Sequence, residues 1–198
     1  LRWIAYNRWA NDRFYETRCR LSQAVHKIDP GILYSAANYW FMSGFGPYDF
    51  SRMAACSDVI DIDPYASSAE KRRGRGVYQH GFGAKFVSDL SGKPVRIIAQ
   101  AFDYAGYGMT SENLREWLSQ AMRCGASSIQ YYTMDSPRWT HRDRWNMMLH
   151  LSGVITRMNR VDLPKDPDTA ILYALYTHMS HGPSIGGDQV YAAHVLVG

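Results

Sequence analysis

The stretch Lys93–Tyr132, KPVRIIAQAFDYAGYGMTSENLREWLSQAMRCGASSIQYY, decides the fold. Val95–Phe102 (VRIIAQAF) is a short apolar, β-leaning run that follows the breaker Ser91-Gly92-Lys93-Pro94. Ser111–Cys124 reads as a helix. Thr110 or Ser111 can cap it, and Glu112 in its first turn suits the positive end of the helix dipole. Leu114, Trp117, Leu118, Ala121 and Met122 fall at i, i+3, i+4, i+7 and i+8, a single apolar stripe. Gly125 ends the helix, and Ser127–Thr133 (SSIQYYT) is the next strand. Strand, helix and strand joined by short connections make a βα unit, and its two strands are expected to run parallel.

The same alternation extends in both directions. Upstream, the pattern predicts strands over Ile32–Tyr39 and Asp58–Ile62, a weak helix over Tyr48–Cys56 and a helix over Val77–Leu90. A leading helix over Asp12–Lys27 carries Phe14, Arg18, Leu21 and Val25 on one side. Downstream come a long helix over Arg142–Arg160, with Trp145, Met148, Leu149, Ser152 and Ile155 along one side, and a break at Pro164 and Pro167. A strand over Thr169–Tyr176 and a helix over Gly187–Val197 follow. Strand starts at about 32, 58, 94, 127 and 169 are separated by 26 to 42 residues, the length of βα units. Two architectures accommodate this: an open doubly wound sheet, or half of a (β/α)8 barrel belonging to a longer protein. The absence of an initiator Met, the apolar ending YAAHVLVG and the small unit after Pro167 favour the second.

The chain has 198 residues, enough for a substantial core, with 46% hydrophobic and 20% charged residues, ordinary globular usage. Its net charge of +4 does not call for nucleic acid. No apolar run is long enough to cross a membrane, and no secretory signal opens the chain, so a cytoplasmic location is favoured. The three Cys, at 19, 56 and 124, form no CxxC pair; neither a zinc site nor a disulfide framework is expected, and the thiols read as buried and free in a reducing compartment. The 14 Tyr and 6 Trp bring apolar faces with polar tips. Only four Glu, at 16, 70, 112 and 116, stand against 14 Asp.

Ligands in parallel α/β folds sit at the C-terminal ends of strands. In this chain those ends hold Asn38, Tyr39 and Trp40; Asp63, Pro64 and Tyr65; Gln100, Phe102, Asp103 and Tyr104; and Tyr132, Asp135, Arg138 and Trp139. Aromatic faces that stack on C–H surfaces, beside amides and carboxylates that take hydroxyls, suit a sugar. Asp58, Asp61 and Asp63 lie along one strand, where three acids converge poorly on a metal ion, and none is expected. Lys71-Arg72-Arg73-Gly74-Arg75 reads as a solvated loop, His178 and His181 as surface, and Gly182–Gly187 as a turn. The basic loop and that glycine turn are also where an open α/β domain would hold an anionic metabolite.

Asp12–Pro30, Ile32–Tyr39, Asp58–Tyr65 (DVIDIDPY), Lys93–Phe102 and Ala121–Tyr132 together resemble the C-terminal half of a clan A glycoside hydrolase barrel, closest to the family 42 β-galactosidase-like group. They resemble its helix 4 and strands 5 to 8. Asp168–Tyr176 (DTAILYALY) resembles the first strand of a glutamine-amidotransferase-like domain. The resemblance implies an α/β chain in which residues 1–163 are the distal half of a TIM barrel and 168–198 begin a Rossmann-like domain. It implies a carbohydrate substrate, no cofactor, and room for homo-oligomers of the full-length protein. The family hydrolyses glycosides with retention, using two carboxylates roughly 5 Å apart. Its acid/base Glu follows strand 4 in an Asn-Glu pair, which this chain lacks, and its nucleophilic Glu ends strand 7, where this chain reads Ile98-Ala99-Gln100-Ala101. A neutral amide cannot form the glycosyl ester, so Asp103 and Asp135 become the candidate catalytic carboxylates. Asn38, Trp40, Asp63, Tyr65, Gln100, Tyr132 and Trp139 become the expected substrate-binding residues. A barrel that binds sugar without cleaving it is the alternative.

Overall fold

A computed structural model of the chain describes residues 2–35, 37–39, 49–65, 78–103, 108–132, 141–158 and 172. In chain order its elements are helix α1 (Arg2–Ile28), strand β1 (Ala37–Tyr39), helix α2 (Phe50–Met53) continued by a 3-10 turn (Ala54–Cys56), and strand β2 (Ile60–Asp63). Helix α3 (Gln79–Ser91), strand β3 (Val95–Gln100), helix α4 (Ser111–Arg123), strand β4 (Ser128–Tyr132) and helix α5 (Arg142–Ile155) follow. The strands lie side by side in the order β1-β2-β3-β4, three of them make an open parallel sheet, and helices alternate with strands. β3 and β4 pair from Arg96 opposite Ser128 to Gln100 opposite Tyr132. The strand and helix expected after Pro167, the second domain from residue 168, the basic loop 71–75, His178, His181 and Gly182–Gly187 lie outside the described residues.

The described residues fall into two compact units. One holds residues of 62–86 and 95–163. Its core is made by Ala99 and Ala101 at the end of β3, Met109, the α4 stripe Leu114, Trp117 and Leu118, and Met148 and Leu151 of α5. All five residues of the expected α4 stripe are buried. β3 is buried along its length except at the half-buried Arg96, as suits a strand of a parallel sheet covered on both faces. α4 begins in a reciprocal cap. Thr110 Oγ1 accepts the Asn113 N–H at 3.2 Å, and Asn113 Oδ1 accepts the Thr110 N–H at 3.1 Å. Gly125 ends it at φ 89, a left-handed turn that favours glycine. The face of α5 is the expected one in part: Met148 is buried and Trp145 and Ile155 pack against the core. Arg144, Met148 and Leu151 are buried and Leu149 is exposed, because the buried stripe runs through a charged residue that an apolar pattern passes over.

The other unit holds residues of 1–61 and 87–94. Its helix α1 starts ten residues before the expected Asp12. Its buried positions are Asn7, Tyr15, Arg18 and Ser22, while Leu21 is exposed. Polar anchoring sets this face. Tyr15 Oη accepts the Asp49 N–H at 2.6 Å, Arg52 lies over the Tyr15 ring and pairs with Asp12, and Arg18 lies over Phe14. The Tyr15 phenol is pushed above its ordinary pKa by burial. Cys19 and Cys56 form a disulfide with Cα atoms 4.5 Å apart, which corrects the expectation of free thiols; Cys124 is free. The strand expected over Ile32–Tyr39 shrinks to β1, and Ile32 and Leu33 are exposed. Tyr34 instead donates its N–H to Asp58 Oδ2 at 2.8 Å, and the same oxygen meets His26 Nε2 at 2.9 Å. The Tyr34 N–H, more than His26, holds the Asp58 carboxyl below its ordinary pKa.

Candidate functional site at the strand ends

The C-terminal ends of β2, β3 and β4 bring three aromatic rings together. At the end of β2 the Tyr65 N–H donates to the Asp63 carbonyl at 2.8 Å, a tight bend that turns Tyr65 off the strand. Past the end of β3, the Ala101 N–H donates to the Tyr132 carbonyl at 2.6 Å, carrying the β3–β4 ladder one residue further and leaving Phe102 beside Tyr132. Tyr65 and Tyr132 stack with centroids 6.1 Å apart and planes 13° from parallel. Phe102 stands edge-on to both, at 5.4 Å and 5.7 Å. Such contacts are favourable in themselves, yet Tyr132 remains 49% exposed. The result is a partly open aromatic surface with phenolic edges.

Asp103, the residue after Phe102, carries the charge of the site. Its Oδ1 accepts the Met109 N–H at 3.1 Å and meets Arg144 Nη2 at 2.8 Å. Its Oδ2 lies 3.9 Å from His141 Nε2. Asp103 is half exposed, whereas Arg144 is 5% exposed, and its Nη1 is buried with no hydrogen-bond partner among the described residues. His141 is the N-cap position of α5 without capping it through its side chain.

Of the expected site residues, the structure gathers Tyr65 and Tyr132 and sets Asp103 in the same strand-end region. Gln100 is fully buried and donates its amide N–H to the Phe102 carbonyl at 2.8 Å, so that donor is spent within the turn. Asp63 is half-buried at the end of β2, after the buried Asp61. Asn38 lies in β1. Trp40, Asp135 and Trp139 lie outside the described residues. Sequence reasoning missed Arg144 and His141. The signal for Arg144 was its spacing, since 144, 148 and 151 form an i, i+4, i+7 stripe with one cation in it. No comparable pattern marks His141.

Among the described residues no group of three His, Cys, Asp or Glu side chains is placed to hold a metal ion. No helix among them is long and apolar enough to cross a membrane. No protein-family model, curated protein or solved structure matches the chain.

Proposed function

We propose that the chain is the strand 5–8 half of a (β/α)8 barrel of glycoside hydrolase type, and that it binds a carbohydrate on the Tyr65–Phe102–Tyr132 surface. The strand order supports the barrel. A doubly wound sheet reverses its order at a switch point, where ligands bind, whereas a barrel keeps its strands in chain order, as β1 to β4 are. On this reading residues 1–163 belong to the barrel and 168–198 open a second α/β domain.

The observation that carries the ligand class is the meeting of three rings from three successive strand ends, one of them half exposed. Flat faces stack on the C–H surface of a pyranose, and the adjoining carboxylate takes its hydroxyls. Two features favour binding over cleavage. Gln100 stands where the family's nucleophile would stand, with its amide turned into the chain. Asp103 Oδ1 is already taken by Arg144 and the Met109 N–H, which holds that oxygen away from a reacting carbon. The second reading, slow hydrolysis through Asp103, draws on the exposure of that carboxylate at a strand end.

An array of neutral and acidic oligosaccharides, probed with the full chain, tests the proposal. Retention on one glycan class without release of free sugar is the expected result. Retention on none overturns the carbohydrate reading. Release of sugar that Asp103→Asn abolishes establishes hydrolysis in place of binding alone.

A further inference from the structure

We infer that Arg144 is the positioning residue that sets ligand selectivity, by orienting Asp103 as an acceptor for one sugar hydroxyl. The inference rests on the carbohydrate reading above and assigns a role that the aromatic surface alone does not require.

The two oxygens of Asp103 are used unequally. Oδ1 is taken twice, by the Met109 N–H at 3.1 Å and by Arg144 Nη2 at 2.8 Å. Oδ2 accepts no hydrogen bond among the described residues; His141 Nε2 lies 3.9 Å away, beyond hydrogen-bond length. Two donors on one oxygen fix the plane of the carboxylate and leave the other oxygen free. With Asp103 half exposed, that free oxygen is open to a donor from outside the chain.

Arg144 is an expensive way to hold a surface carboxylate. Its guanidinium is almost fully buried, one nitrogen meets Asp103, and Nη1 has no hydrogen-bond partner among the described residues. Removing a cation from water for a single half-exposed anion returns less than it costs, and an apolar residue of similar volume often serves stability as well or better. The geometry does give rigidity: a planar fork held by the α5 core beside Met148 and Leu151 cannot follow the carboxylate around as a surface lysine would. A rigid anion beside the aromatic surface discriminates between a ligand that presents a hydroxyl to it and one that does not. An ionised acceptor left without its donor is penalised heavily, which is what makes such a contact selective.

Methyl β-galactopyranoside and its monodeoxy derivatives are the probes, titrated calorimetrically into the full chain. The wild-type chain should bind the parent sugar and lose about tenfold or more with one particular deoxy derivative. Asp103→Asn and Arg144→Met should bring the parent sugar down to the level of that derivative, without weakening the derivative itself. Arg144→Lys should restore part of the discrimination. Loss of affinity for every sugar alike in Arg144→Met, with a lowered melting temperature, would mark a structural role and overturn the inference, as would discrimination that survives Asp103→Asn. Should Arg144→Met fail to fold, Asp103→Asn and Arg144→Lys still decide. If the wild-type chain binds none of these sugars, this inference is overturned, and the carbohydrate reading falls with it only when the oligosaccharide array is blank as well; binding without discrimination overturns this one alone.

Discussion

The Gln100 side chain is fully buried, and its amide N–H meets the Phe102 carbonyl. A Glu at this position would set a carboxylate against that carbonyl, with neither a proton to share nor water to solvate it. Gln100→Glu is therefore expected to lower stability by about 2 kcal/mol or more, read from urea unfolding at neutral pH; an unchanged midpoint would show that the amide donor is dispensable. His80 offers the opposite case. It is fully buried, stacked on Trp117 with centroids 4.9 Å apart, and neither ring nitrogen has a hydrogen-bond partner among the described residues. Burial lowers its pKa from 6.5 to about 3. Between those values the unfolded chain takes up a proton that the folded chain refuses, so stability falls as the pH drops through that window and is untouched above it. His80→Phe keeps a ring on Trp117 and removes both orphan nitrogens. It should raise stability by about 1 kcal/mol at neutral pH and flatten the acid limb of a melting-temperature profile. A variant that melts along the wild-type profile would contradict the account of His80. Neither orphan nitrogen was visible in the sequence, where a histidine between Gln79 and Gly81 gives no sign of being sealed against an indole.

Helix α4 was legible because its signals agree. A capping residue, an acidic first turn, an apolar stripe and a terminal glycine all point to the same boundaries, and all five stripe residues are buried. The cap carries its own prediction: Thr110→Ala leaves the Asn113 N–H without its acceptor and should cost about 1 kcal/mol. Thermal unfolding checks this, and a loss below a few tenths would mean that water replaces the cap fully. Helices α1 and α5 were legible only in part. Arg18 is buried on the expected side of α1, and Met148, Trp145 and Ile155 pack as expected from α5, but Leu21 and Leu149 are exposed and Arg144 is buried against Asp103, an ion pair that apolar periodicity cannot register. β1 was overestimated because Ile32 and Leu33 are apolar yet exposed, while the Tyr34 backbone is committed to Asp58.

Across the described residues, the alternation of strands and helices, and hence the parallel α/β fold, followed from breaker residues and spacing alone. The long-range covalent link did not, because nothing in the spacing of Cys19 and Cys56 distinguishes that pair from any other among three cysteines. A cross-link across a sequence separation of 37 contributes about 4 kcal/mol on the chain-entropy account. Under denaturing, non-reducing conditions a thiol reagent should therefore find one group per chain, Cys124, and reduction should lower the unfolding midpoint. Three reactive thiols before reduction would contradict the pairing. The strand ends were legible as a polar and aromatic collection, and the structure shows which members meet: Tyr65, Phe102 and Tyr132, with Asp103 and its buried Arg144 alongside. The most direct test of the central claim, that this surface binds a carbohydrate, is the affinity of Tyr132→Ala for the glycan retained by the wild-type chain. Stacking on that ring predicts a loss of about tenfold or more in a variant that still unfolds cooperatively at a modestly lowered melting temperature; wild-type affinity in the variant would contradict it.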